Sequence, residues 1–361
     1  MGLSGNKGEW SEVYVFFRML GEGNLHTGDA ALNKKKILPI VKVIRGDAAG
    51  RGFFPNKNAD VVILDETSGD EILRIPMETF MQESEKLFDK ISNTECSPFT
   101  FPRSDKLLHH IGCSQLKAPS DNKADIRVMI HDSRTGMEPT MGFSIKSQLG
   151  SPSTLLNAGR NTNILYRVTG NALSLEQVDE INRIRSHTKR MAALYKAGCR
   201  LEYEHIECDT FRNNLLYIDC CLPRLVGECL ATIADPDNES SKISGVVDMI
   251  ATRNPLMYTG NNIADFYAHK MKVLLVDVAL GMTPGKIWDG RFDANGGYIV
   301  VKTDGDLVCY HFYDHNDVED YLYYNTKFDW SSRSRHGWGE LFLGEDGQPR
   351  LRLNLQIRFT K

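Results

Sequence analysis

The chain has no apolar run near the ~18 to 20 residues that would span a bilayer. Its opening, MGLSGNKGEWSE, lacks the basic-then-apolar order of a secretory signal. Gly2 invites a lipid-anchor reading, but Asn6 stands where a myristoylation motif needs Ser or Thr. A cytoplasmic location without membrane attachment is therefore expected. Eight cysteines are scattered at 96, 113, 199, 208, 220, 221, 229 and 309, and none are spaced C-x-x-C. That excludes the usual zinc and dithiol-redox patterns and leaves reduced thiols. G-x-S-x-G elbows, phosphate-binding Walker loops and H-E-x-x-H are all missing. So is any internal repeat or low-complexity tract. There is also no excess of positive charge: the net charge is −4. A nucleic-acid partner is not excluded on that ground, because binding faces are local and a metal-dependent site carries its own carboxylates.

What is present is an ordinary globular composition, 41% hydrophobic and 25% charged over 361 residues, enough for a large core and about two domains. Glu9 to Leu20 has the spacing of a helix, with Trp10, Val13, Phe17 and Leu20 as its apolar stripe and Gly21 and Gly23 ending it. Ile37 to Arg45 and Asp60 to Leu64 are strand-like, with a loop between them from Gly46 to Asn58. Pro76 to Ile91 returns to helical spacing, and Cys96 to Ser104 reads as a loop. Ser174 with Gln177 makes a capping-box signature for a helix continuing to Leu194. Residues 209–234 and 262–281 also read as helices. From about Gly296 the pattern turns to strands, in GGYIVVK, LVCYHFY, GELFLG and LRLNLQIRF. The fold class expected is α/β with a mixed central sheet in 1–170, a helical region in 171–285 and a β-rich region in 286–361.

The stretch that carries chemistry is Ala124 to Gly150. It reads as two strands joined by a turn over Asp132 to Pro139. Asp125 opens the first strand and Lys146 lies near the end of the second. Antiparallel pairing brings them to one end of the hairpin. Metal-dependent phosphodiester hydrolysis needs carboxylates for the ion and a cation near the attacking water or the scissile phosphate. The PD-(D/E)xK nuclease pattern supplies these from such a strand pair. Here the position two before the lysine is Ser144, not an acid, and Ala124 stands where that pattern has proline. By spacing alone an ordinary surface hairpin accounts for the residues better.

Serine is a poor Mg²⁺ ligand compared with a carboxylate, so a nuclease site needs an acid from elsewhere. Glu12, and after it Glu9, three residues apart on the N-terminal helix, are the candidates. A solvated helix face is their alternative. Gln148 lies two residues beyond the lysine on the same strand face and is placed to touch a water of the metal. Asp132 and His131 belong to the turn. Near the C-terminus, SSRSRHGW interleaves Arg333, Arg335 and His336 with aromatics, a pattern that suits phosphates or guanine edges, or else a solvated loop. His315 with Asn316 lacks the spaced His, Asn, His order of an HNH nuclease. The segment around Asp314 lacks the glycine and third acid of an EF-hand. Cys220 and Cys221 read as buried thiols in an apolar helix.

Six stretches then resemble a family: GNKGEWSEVYVFFRML; DIRVMIHD with TMGFSIKSQLGSPSTLLNAGRNTN; AHKMKVLLVDVALGM; and SRHGWGE with LRLNLQIRF. In matching order from residue 5 to the C-terminus they look like the HpaII family of type II restriction endonucleases. The resemblance implies Mg²⁺-dependent cleavage of double-stranded DNA at a short palindrome, with CCGG, the target of the family's type member, as the default. It makes Asp125 a metal ligand and Lys146 the charge on the attacking water and phosphate. Glu12 becomes the relocated carboxylate, with Glu9 second. Ser144 and the polar run Ser151, Ser153, Asn157, Asn161 and Asn163 are assigned to DNA contact, with Arg333, Arg335 and His336. A homodimer and a cognate DNA methyltransferase are the implied partners. Ser144 also motivates an alternative, a DNA-binding protein on a nuclease fold that has lost cleavage.

Overall fold

The computed structural model describes residues 2–48, 50–117, 124–133, 135–291, 296–329 and 339–360. It is mixed α/β, and its largest sheet has nine strands. In spatial order these are Asn24–Gly28, Leu307–His311, Gly297–Val301, Thr140–Ser147, Ile126–Ile130, Lys34–Ile44, Arg51–Pro55, Asp60–Asp65 and Glu71–Pro76. Gly297–Val301 runs parallel to Thr140–Ser147, and Leu307–His311 parallel to Asn24–Gly28. The remaining neighbours are antiparallel. Asn24–Gly28 also pairs with Lys34–Ile44, so the sheet turns back on itself.

Contacts divide the chain into two units, each built from two stretches: Met1–Ser153 with Asp293–Tyr321, and Thr154–Phe292 with Leu322–Lys361. The regions expected from composition, 1–170, 171–285 and 286–361, divide the chain differently from these contact units. The reason is strand pairing: Gly297–Val301 and Leu307–His311, grouped by sequence with the C-terminal region, complete the sheet that contains the 126–147 hairpin.

In the first unit the helix Lys7–Glu22 lies against the sheet. Asn6 caps it: its side chain accepts from the Glu9 amide, while the Glu9 carboxylate accepts from the Asn6 amide. The helix passes through Gly21, where a Cβ would meet Met81, and ends at Gly23, which has φ 65°. A left-handed residue there closes the last turn without the strain a side chain would bring. Trp10, Val13, Phe16 and Phe17 are fully buried, packed with Phe53 and Phe80 from the sheet and the helix Met77–Asn93.

Local expectations fare unevenly. The segment read as a loop holds the strand Arg51–Pro55, and the helix Pro102–His110 starts inside the other expected loop. The helix begun at Ser174 breaks into Leu175–Arg183 and His187–Lys196. That of 209–234 breaks at Asp219, with helices Asp209–Ile218 and Leu222–Ala234 on either side. Cys220 therefore sits exposed between helices, not buried within one, and all eight cysteines are free. The second unit contains a four-stranded and a three-stranded sheet beside those helices. Among the described residues no helix is long and apolar enough to cross a membrane.

Candidate active site

The hairpin forms as its alternation dictates. Ile126–Ile130 and Thr140–Ser147 pair antiparallel, with Ile126 opposite Phe143 and Val128 opposite Met141. Ile126, Val128, Ile130, Met141 and Phe143 are buried. It lies in the interior of the nine-stranded sheet, between Gly297–Val301 and Lys34–Ile44. The surface-hairpin reading fails on that position. At the far end Asp132 pairs with Met137 across the turn, and the His131 ring lies 3.3 Å from Glu138, both exposed. Those residues serve the turn, as expected.

At the near end the amide of Asp125 donates to the Phe143 carbonyl at 2.9 Å, one step beyond the first strand. Its carboxylate oxygen Oδ2 accepts from the Ile145 amide at 2.7 Å and from the Ser144 hydroxyl at 3.1 Å. The Lys146 ammonium donates to the same Ser144 oxygen at 3.2 Å. Asp125, Ser144 and Lys146 thus form one connected group. Ser144, assigned by sequence to DNA contact, joins the carboxylate to the ammonium. Gln148 follows the strand end, and its backbone N–H donates to the Val301 carbonyl at 2.9 Å.

Glu12 reaches this group from the helix. The Ser11 and Ser147 hydroxyls, 2.8 Å apart, tie the helix to the second hairpin strand, one residue from Glu12 and one from Lys146. Burial, and after it the charge of Asp125, raise the Glu12 carboxyl from its ordinary 4.5 to about 8, against lowering by Lys117 and Arg45. Its Oε2 is buried without a hydrogen-bond partner. Such an oxygen is costly unless a proton or a cation satisfies it. Burial lowers the Lys146 ammonium, while Asp125 and Glu12 hold it up.

Glu9 is placed differently. Its carboxylate is taken by the Asn6 amide in the capping box. Among the described residues, the group of three acidic, His or Cys ligand atoms within 4.8 Å of one another is Asp219, Cys220 and Cys221, in the other unit. Asp125, Glu12 and Glu9 form no such triple. Asp125 and Glu12 are the carboxylates that act on each other by charge here and could hold a divalent ion between them. Two carboxylates suit Mg²⁺, which keeps several waters and is completed by substrate phosphate oxygens.

Sequence reasoning missed a buried ion pair that frames the site. Arg45 and Asp47 are bonded at 2.8 Å with both side chains almost fully buried. Arg45 also donates to the Gln115 and Leu116 carbonyls at 2.7 Å, and Asp47 accepts from the Ser114 and Gln115 amides at 3.0 Å. Together they fix the segment that leads to exposed Lys117, whose charge acts on both Glu12 and Lys146. An arginine closing an apolar strand, two residues before an aspartate, was the available signal.

The expected DNA contacts divide. Ser151 is exposed and Ser153 half-buried, both in the first unit. Asn157 and Asn161 are exposed in the second. Asn163 is 5% exposed, and its side-chain oxygen accepts from Asn354 at 2.7 Å. It is a buried strand-pairing residue, which removes it from the solvent-facing set. Arg333, Arg335 and His336 lie outside the described residues.

Comparison with known proteins now bears on the site. The sequence model of the family described as HpaII restriction endonuclease matches residues 6–359. The chain is 39% identical to the type II restriction enzyme HpaII of Haemophilus parainfluenzae over 361 residues, covering 99% of each chain. No solved structure matches.

Proposed function

The chain belongs to the HpaII restriction endonuclease family, and on that premise we propose that it hydrolyses double-stranded DNA with Asp125, Glu12 and Lys146 as its catalytic set. It is a type II site-specific deoxyribonuclease. The observation that carries the residue assignment is the buried, unpartnered Glu12 oxygen facing the Asp125 charge beside Lys146. That arrangement supplies from the helix the acid that Ser144 does not provide. The core is read as a PD-(D/E)xK variant, with the second acid moved off the hairpin.

Mg²⁺ is the proposed ion, and when bound it supplies Lewis-acid stabilisation of the phosphate and a more acidic water. Asp125 is oriented by the Ile145 amide and the Ser144 hydroxyl, so one of its oxygens is fixed before substrate arrives. Glu12 gives up its proton to become the second anionic donor. Lys146 orients the attacking water and stabilises the charge that builds on the phosphate oxygens. In-line attack on phosphorus then leaves 5′-phosphate and 3′-hydroxyl ends. Gln148 is assigned to a water of the site. Ser151, Ser153, Asn157 and Asn161 are assigned to the DNA backbone, and Arg333, Arg335 and His336 to bases or phosphates. Glu9 remains with the helix cap.

The proposed target is CCGG, the proposed assembly a homodimer matching a palindrome, and the proposed setting the cytoplasm, with a methyltransferase protecting host DNA. Digestion of a DNA of known sequence with Mg²⁺, followed by mapping of fragment ends, tests this reading. Discrete fragments ending at every CCGG are expected. Ends at another recurring sequence would overturn the target, and an undigested substrate would overturn the catalytic reading.

A further inference from the structure

Gly297–Val301 runs parallel beside the second hairpin strand, with Tyr298 opposite Ser144 and Val300 opposite Lys146. Side chains two apart on a strand share a face, and paired residues of parallel neighbours point the same way. Ser144, Lys146 and Tyr298 therefore lie on one face of the sheet. The Lys146 ammonium stands 5.3 Å from the centre of the Tyr298 ring. That ring is 5% exposed. Burial pushes its phenol well above the ordinary range, so it stays neutral.

An ammonium removed from water needs replacement for its hydration. Ser144 supplies one acceptor. The ring face attracts the same charge through its quadrupole. Unlike a carboxylate, it does so without directing any particular N–H. We propose that Tyr298 is a positioning residue for Lys146: its ring seats the ammonium beside Asp125 and Ser144, where the scissile phosphate is to be met. The inference rests on the reading of Lys146 as the cation of the reaction.

The test keeps the shape of the side chain and varies only the charge on its face. Phenylalanine, then mono-, di- and trifluorinated phenylalanine, are placed at position 298 of the full chain. Single-turnover cleavage is measured with Mg²⁺, and affinity for the same duplex without it. Tyr298→Phe should keep most of the rate. Fluorination should then lower the rate stepwise, by about three- to thirty-fold across the series, while affinity stays constant. Equal rates across the series overturn the inference. So does a rate loss matched by an equal loss of affinity, since that marks a general structural role. Tyr298→Leu should fall at or below the trifluorinated variant. Lys146→Ala, run in parallel, separates the two claims. Undiminished cutting by that variant removes the underlying reading, whereas a flat fluorination series with an inactive Lys146→Ala protein removes only the role of Tyr298.

Discussion

The two ends of one hairpin carry similar residues and are built for different work. At the turn, Asp132, His131 and Glu138 are met by backbone and by each other in contact with solvent. At the other end, Asp125 and Lys146 are joined through Ser144, and a helix brings Glu12, with a buried, unsatisfied oxygen, to the same half-buried group. Residue type does not distinguish the two ends. The distinction is burial, which removes water from the charged groups of one end and leaves a cation, a proton or a substrate to replace it.

The same contrast recurs within one turn of the N-terminal helix. Glu12→Gln should lower Mg²⁺-dependent cleavage by about 10² to 10³-fold, as the loss of one charge aimed at the reacting phosphate and its ion generally does. Glu9→Ala should leave cleavage nearly intact and instead cost about 1 kcal/mol of stability through the lost helix cap. Cleavage rates and thermal melts of the two variants measure this. The reverse pattern would move the metal site to Glu9.

A smaller effect appears with pH. Glu12 holds its proton to about pH 8 in the folded protein and loses it near 4.5 when exposed. Between those values the folded state carries the extra proton, so raising the pH favours unfolding. This contribution to stability is complete below about 4.5 and is lost as the pH passes about 8. The metal-free protein should therefore melt at a lower temperature at pH 8 than at pH 6. Glu12→Gln should flatten the dependence. Mg²⁺ should bind more tightly as the pH rises through the same window, because its binding expels the proton. A melting temperature for the metal-free protein that rises between pH 6 and 8 by an amount depending on Glu12 would contradict the account.

The smallest effect belongs to the turn. His131→Ala removes an exposed contact to Glu138, and such pairs contribute about 0 to 1 kcal/mol. Its cleavage rate should match that of the unsubstituted protein. A large loss there would erase the distinction between the hairpin's two ends.

Part of this was legible in the sequence. The alternation of IRVMI and TMGFSIKS gave the hairpin its pairing, and the want of an acid at Ser144 pointed to Glu12. The capping role of Glu9 is open to reading from Asn6 three residues before it, yet spacing alone offers only a ligand or a solvated helix face for both glutamates. Arg51–Pro55 was hidden because its glycine and proline read as loop signals, while ladder pairing on both sides overrides them. Tyr298 was hidden for another reason. GYIVV reads as any buried strand, and only the parallel register across some 150 residues of sequence sets the ring over Lys146. The polarity of Asn163 suggests solvent, whereas its side chain is buried and Asn354 satisfies it inside.

The most direct test of the central claim is the Lys146→Ala protein with supercoiled DNA and Mg²⁺, followed by gel electrophoresis and a parallel binding assay. The account predicts DNA that stays uncut while binding persists. Cutting at the rate of the unsubstituted protein would contradict it.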